Sequence, residues 1–121
     1  MNNQALENRL IAFSVAIISF SKNLETGPAG NHMRSQIIRS GTAPALNYAE
    51  ARDAESLKDF IHKLKISLKE LRETRVALKI TKDARLSRSS SLLDNILQEN
   101  TELIAIFISS IKTSKKRLHQ E

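Results

Sequence analysis

Apolar residues recur along this chain at alternating steps of four and three. Leu6, Leu10, Phe13, Ile17, Phe20 and Leu24 form the first run. Such steps return to one side of an α-helix, so the run predicts a helix near residues 4–24 with a single buried face. Gly27-Pro28 and Gly30 then interrupt the pattern, and residues 25–31 read as a loop. A second helix is expected near residues 32–51, with Met33, Ile37, Tyr48 and Ala49 among its apolar members. Pro44 lies inside it and has no backbone N–H, which predicts a kink or a local break. Ser56-x-x-Asp59 has the form of a helix-start cap. The third helix, near residues 56–81, carries Leu57, Ile61, Leu64, Leu68, Leu71 and Leu78, with Arg75 where another apolar residue was due. After a short polar connection, the serines of residues 87–91 offer N-caps for a fourth helix near residues 87–118. Its run is Leu93, Leu97, Ile104, Phe107, Ile111 and Leu118, interrupted by Asn100 and Ser114.

Four helices with short connections and one apolar stripe each predict an all-α fold. The expected arrangement is an antiparallel up-down-up-down four-helix bundle forming a single domain over residues 1–121. Apolar residues also fall off the main stripes. Ile11, Val15 and Ile18 flank the first helix, and Leu92, Ile96, Leu103 and Ile106 form a second stripe on the fourth. Two explanations stand for these: a wide core-facing surface, or a subunit interface. Residues 10–20 follow Arg9 and are largely apolar. They are broken by Ser14 and Ser19, lack a small-residue cleavage site and are too short to span a bilayer, so they read as a core helix.

Composition narrows the chemistry. There is no Cys, which excludes disulfides and thiol catalysis and fits a cytoplasmic location. The net charge of +6 favours anionic partners, although solubility alone accounts for many such surpluses. On the third helix Lys58, Lys65, Arg72 and Lys79 are spaced by seven, and His62 and Lys69 fall on the same side. At 100° per residue this basic stripe lies beside the core stripe. Lys58, Lys65, Lys69, Arg72 and Lys79 are therefore the candidate contacts to RNA or DNA phosphates, which need only reachable cations. The plain alternative is a solvated face with i,i+4 pairs such as Asp59–Lys63. Lys112, Lys115, Lys116 and Arg117 form a second cluster, where they also complement the helix dipole. The aromatic residues lie on or near apolar stripes and leave no stacking platform for bases. Asp59-x-x-His62 is a single carboxylate-x-x-His element, too little for a di-metal site. No nucleophile elbow, phosphate-cradling glycine loop or catalytic constellation occurs. The expectation is a non-enzyme with no cofactor, no small-molecule substrate and no membrane partner.

One series of motifs carries more information. It runs Arg39-Ser40-Gly41-Thr42, Asn47-Tyr48-Ala49-Glu50-Ala51, Ala54-Glu55-Ser56, Asp59-Phe60-Ile61-His62-Lys63-Leu64, Leu68-Lys69-Glu70 and Glu73-Thr74. In order and spacing it resembles the four-helix-bundle proteins encoded within intervening sequences of bacterial 23S ribosomal RNA genes. The motifs cover residues 39–74, about a third of the chain. Ala43-Pro44-Ala45 and Arg75-Val76-Ala77-Leu78 depart from the family pattern. The resemblance implies a homo-oligomer, commonly a ring of five, and implies no reaction. A distant relative is the basic pentameric accessory protein of diversity-generating retroelements, which binds nucleic acid. Within the motifs, Asn47 and Glu50 read either as a polar face or structural hydrogen-bond pair on the second helix or, with Arg39, as partners of Glu70 and Glu73 in a network between helices or subunits.

Overall fold

The computed structural model describes residues 1–120. It contains four helices: α1 Asn3–Ser21, α2 Pro28–Arg52, α3 Leu57–Asp83 and α4 Ser90–Gln120. No strand occurs among the described residues. One isolated antiparallel bridge joins Leu24 to Ser87 and ties the α1–α2 loop to the α3–α4 loop. Side-chain caps set three of the helix starts. Asn2 accepts from the Ala5 N–H at 2.7 Å, Ser56 from Asp59 at 3.0 Å and Ser89 from Leu92 at 3.3 Å.

Two local expectations fail for identifiable reasons. The second helix begins at Pro28 rather than near residue 32. Proline at the first helical position loses no bond, because that N–H would be unpaired anyway, and its fixed φ suits the helix. The turn itself is made by Gly27, at φ +113°, where a side chain would be strained. Gly30, expected in a loop, is buried in the first turns of α2, where a Cβ would collide with the Glu25 carbonyl oxygen. The second expectation concerns Pro44, where a kink or a local break was expected and the break does not occur: the helix runs on through it. Pro44 is buried, and its own carbonyl accepts from Ser67 Oγ of α3 at 3.3 Å. Packing on α3 outweighs the missing backbone bond.

Each helix packs on its chain neighbours, α1 also meets α4, and the diagonal pairs α1·α3 and α2·α4 make no close backbone approach. Cross-helix contacts give the directions. Asn3 meets Tyr48 while Ser21 meets Arg34, so α1 and α2 run antiparallel. Arg39 reaches Glu70 and Glu50 reaches Lys63, which sets α2 against α3. Leu71 meets Asn100 and Lys82 meets Asp94, which sets α3 against α4. At the closing edge Arg9 of α1 forks onto Glu99 of α4, with Nε and Nη2 at 2.8 and 2.6 Å.

The core is built from the stripes read in the sequence. Leu10, Ile17, Ile37, Leu64, Leu71, Leu78, Leu103 and Phe107 are fully enclosed. Tyr48 meets the Phe107 ring edge-on at 5.8 Å. The second stripe of α4 mostly joins this core. Ile96 and Leu103 are buried and Ile106 packs against them, leaving only Leu92 exposed. It widens the inward face of α4. Ile11, Val15 and Ile18 of α1 do remain exposed. Polar residues also enter the core: Thr74 donates to Ser40 at 3.0 Å, and Asn100 Nδ2 donates to the Leu71 carbonyl at 3.0 Å. Asn100 Oδ1 is enclosed without a partner.

Candidate interaction surfaces

The motif residues fasten α2 to α3. Arg39 spans both acidic residues of the third helix, with Glu70 at 3.0 Å and Glu73 at 2.7 Å. These bonds, Glu73 foremost, raise the Arg39 pKa above its ordinary value. Beneath this exposed clamp sits the buried Ser40–Thr74 bond. Lys63 pairs across to Glu50 at 3.0 Å rather than with Asp59 of its own helix. Asn47 stays outside the network, donating to the Ala43 carbonyl of α2 at 3.0 Å. Ser56 caps α3 through the Asp59 N–H, Phe60 packs against the core, and Glu55 is exposed in the α2–α3 connection.

The outward face of α3 is different in kind. Lys58, Lys65, Lys69, Arg72 and Lys79 are all exposed, and none forms an ion pair among the described residues. Arg9, Arg39, Arg52, Lys63 and Lys82, by contrast, are each matched to a carboxylate. Three of the five free cations, Lys65, Lys69 and Arg72, line an open groove of about 1180 Å³ bounded by α2, α3 and α4. Lys112 and Lys115 of α4 enter the same groove, so the second basic cluster adds to the first. Lys58 lines a smaller neighbouring cleft with His62 and Lys115, whereas Lys79 lies outside both.

The groove also holds a feature that the sequence reading missed. Val76, Ile80 and Ile108 are large apolar residues in its lining, and they are 56%, 50% and 45% exposed. Val76 and Ile80 are one turn apart on the side of α3 turned away from its core stripe. That four-residue step was the only available signal. The groove is thus apolar towards Val76 and Ile80, and basic towards Lys65 and Lys115.

Among the described residues no three His, Asp or Glu side chains are grouped as metal ligands, and no helix is long and apolar enough to cross a membrane. A family model for the 23S rRNA-intervening sequence protein matches residues 3–109. The chain belongs to that family. A solved structure from Bacteroides thetaiotaomicron, a protein of unknown function from the S23 ribosomal protein family, is also similar. It shares 32% identity with a TM-score of 0.81, covering 93% of this chain and 99% of that one. No curated protein matches. Family membership agrees with the motif resemblance at residues 39–74, and the structure shows that those motifs build the α2–α3 seam.

Proposed function

We propose that this member of the 23S rRNA-intervening sequence protein family is a cytoplasmic, non-catalytic, single-domain bundle that works as a self-assembling interaction module. The observation that carries this reading is exposed apolar surface on two sides of one small bundle. Ile11, Val15 and Ile18 lie on α1, and Val76, Ile80 and Ile108 lie in the groove beside α3. Monomers seldom leave clustered apolar surface in water, and such clusters mark interaction sites. A ring of five is the expected form, as the family resemblance implies. Sedimentation velocity at micromolar concentration should give a mass several times that of the 13.6 kDa chain. A monomer at all concentrations would overturn the reading.

A second reading is supported by the free cations of α3. Five exposed, unpaired cations on one helix face suit the phosphates of RNA or DNA, and the absence of a free aromatic platform limits contact to the backbone. Affinity should then fall steeply with salt and vary little with sequence. Replacing Lys65, Lys69 and Arg72 together by Gln should keep the fold, since all three are exposed, and should flatten the salt slope equally on unrelated sequences. No binding at low salt, or equal binding by the variant, would remove this reading.

A further inference from the structure

We propose that the cleft between the first turns of α3 and the last turns of α4 holds a phosphate monoester, the terminal phosphate of a free nucleotide or of an RNA strand. The proposal goes beyond the backbone contacts considered above, because a monoester and a diester differ in charge, and either reading can fail without the other. Helices α3 and α4 run antiparallel, which brings Lys58, His62 and Lys65 beside Lys115 and His119 around an opening of about 400 Å³. Steps of four and three keep the first three on one side of α3, and a step of four does the same for the two on α4. Ile61 and Leu118 complete the lining, and Ile61 is buried. All five basic side chains are exposed, and no acidic residue lines the cleft. None of the five forms an ion pair among the described residues.

Density of charge separates this cleft from the rest of the basic stripe. Further along α3, Lys65, Arg72 and Lys79 follow at steps of seven residues, about 10 Å each. Cations so spaced meet the phosphates of a strand one at a time, and each diester carries a single charge. In the cleft, donors from two helices converge on one small volume. Their mutual repulsion has no carboxylate to relieve it. A monoester suits them better, since it carries about −1.5 to −2 charges near pH 7 and three strongly accepting oxygens. Lysine ammonium groups and imidazole N–H groups both donate to such oxygens. Ile61 and Leu118 displace water from one side, so these bonds are less screened than on an open helix face. The size also fits, because small-ligand sites begin at about 300 Å³.

Histidine ring resonances read the site directly. The chain has three histidines, and His32 lines the groove, apart from the cleft. Adenosine 5′-monophosphate titrated into the full chain at constant pH should shift the His62 and His119 signals and leave His32 unmoved. Adenosine should shift none. Dimethyl phosphate, a diester, should need on the order of 10-fold higher concentration for the same shift, through loss of a charge-assisted bond. With the ring shifts in hand, one short RNA is compared with and without a 5′-phosphate. Binding tighter by about 10-fold for the phosphorylated strand assigns the site to RNA ends, and equal binding assigns it to the free nucleotide. His62→Gln with Lys115→Gln should abolish the monoester response, whereas Lys69→Gln with Arg72→Gln should keep it. If the cleft variant unfolds, the wild-type ring signals still decide. Rings that ignore the monophosphate, or that respond equally to the diester, would overturn the proposal. An equal response to the diester would leave the backbone reading standing, and failure of either RNA to bind at low salt would remove the backbone reading alone.

Discussion

The seam between α1 and α2 is set by one close approach, and replacing Gly41 by Ala tests it. A Cβ at residue 41 would stand 2.8 Å from both Cγ1 and Cγ2 of Ile17, and 3.1 Å from its Cδ1. Ile17 is fully buried and cannot swing away. Two effects compete. Alanine is better than glycine inside a helix by about 0.5–1 kcal/mol. Overpacking a filled core costs about 1–3 kcal/mol. The clash involves both branches of a buried β-branched side chain, so the second effect should win, giving a net loss of roughly 0–2.5 kcal/mol. The sign should invert once the branches are gone. Ile17→Ala alone should cost about 2–5 kcal/mol through lost burial and a cavity. Adding Gly41→Ala to that background should then stabilise by about 0.5–1 kcal/mol, because only helix propensity remains. Ile17→Val should not produce the inversion, since it removes Cδ1 and keeps both atoms at 2.8 Å. Urea denaturation of the four proteins at one fixed chain concentration gives the coupling directly. Equal effects of Gly41→Ala in both backgrounds would refute the close-approach argument.

Two further outcomes concern polar groups in the core. Burial pushes the Tyr48 phenol above its ordinary pKa. The fold therefore favours its neutral form, and this stabilisation is complete below the unfolded value, near pH 10, then lost as pH rises through the folded pKa. Tyr48→Phe should cost about 1 kcal/mol at neutral pH through loss of the 3.1 Å bond to Asn3, with the gap to wild type narrowing at alkaline pH. Tyr48 is the only tyrosine, so phenolate absorbance reads it alone, and ordinary titration in the native protein would refute the argument. Asn100→Asp should destabilise by about 3 kcal/mol or more at pH 7, because a carboxylate would be enclosed against the Leu71 carbonyl. Its carboxyl pKa would be raised. The deficit should accordingly shrink towards acid pH, where a protonated carboxyl can donate to Leu71, and a deficit independent of pH in urea melts would refute this.

Much of the fold was legible because burial in a bundle is periodic. The four-three runs placed most of the enclosed apolar residues, though not Ala51 or Ala77 and none of the buried serines and threonines, and Ser56 capped α3 as its spacing indicated. The failures occurred where a local rule met a tertiary one. Proline and glycine near residue 28 read as a loop reaching residue 31, yet the connection spans only residues 22–27 and Pro28 is the first helical residue. Pro44 read as a kink or a local break, and the break is absent: Pro44 is buried and the helix is continuous across it, with its carbonyl bonded to Ser67 of α3. The candidate surface was half legible. A basic stripe on α3 follows from spacing alone. That Lys112 and Lys115 join it, and that Val76, Ile80 and Ile108 stand exposed beside it, depends on how α3 and α4 are rotated about their axes. Spacing within one helix cannot give that rotation. The extra stripe on α4 was ambiguous for the same reason, and the packing assigns most of it to the core.

The motif residues gain a role from this geometry. They do not form the groove's cationic rim, apart from Arg39 and Lys69, and they hold no ligand set. Arg39, Ser40 and Glu50 on α2 grip Glu70, Glu73, Thr74 and Lys63 on α3. Bonds at the middle of this seam and at its end nearest the α2–α3 connection fix the rotation of α3 about its own axis. That rotation decides whether Leu71 and Leu78 face the core while Lys65, Arg72, Val76 and Ile80 face outward. A helix turned by one residue, about 100°, would exchange these sets. The seam therefore acts on the candidate surface at a distance, by orienting the helix that displays it. The buried Ser40–Thr74 bond is the strictest of these restraints. Thr74 Oγ1 keeps the Glu70 carbonyl of its own turn, at 2.8 Å, whatever the rotation, but Ser40 Oγ is buried with no other partner, so an altered rotation would leave it unpaired inside the core.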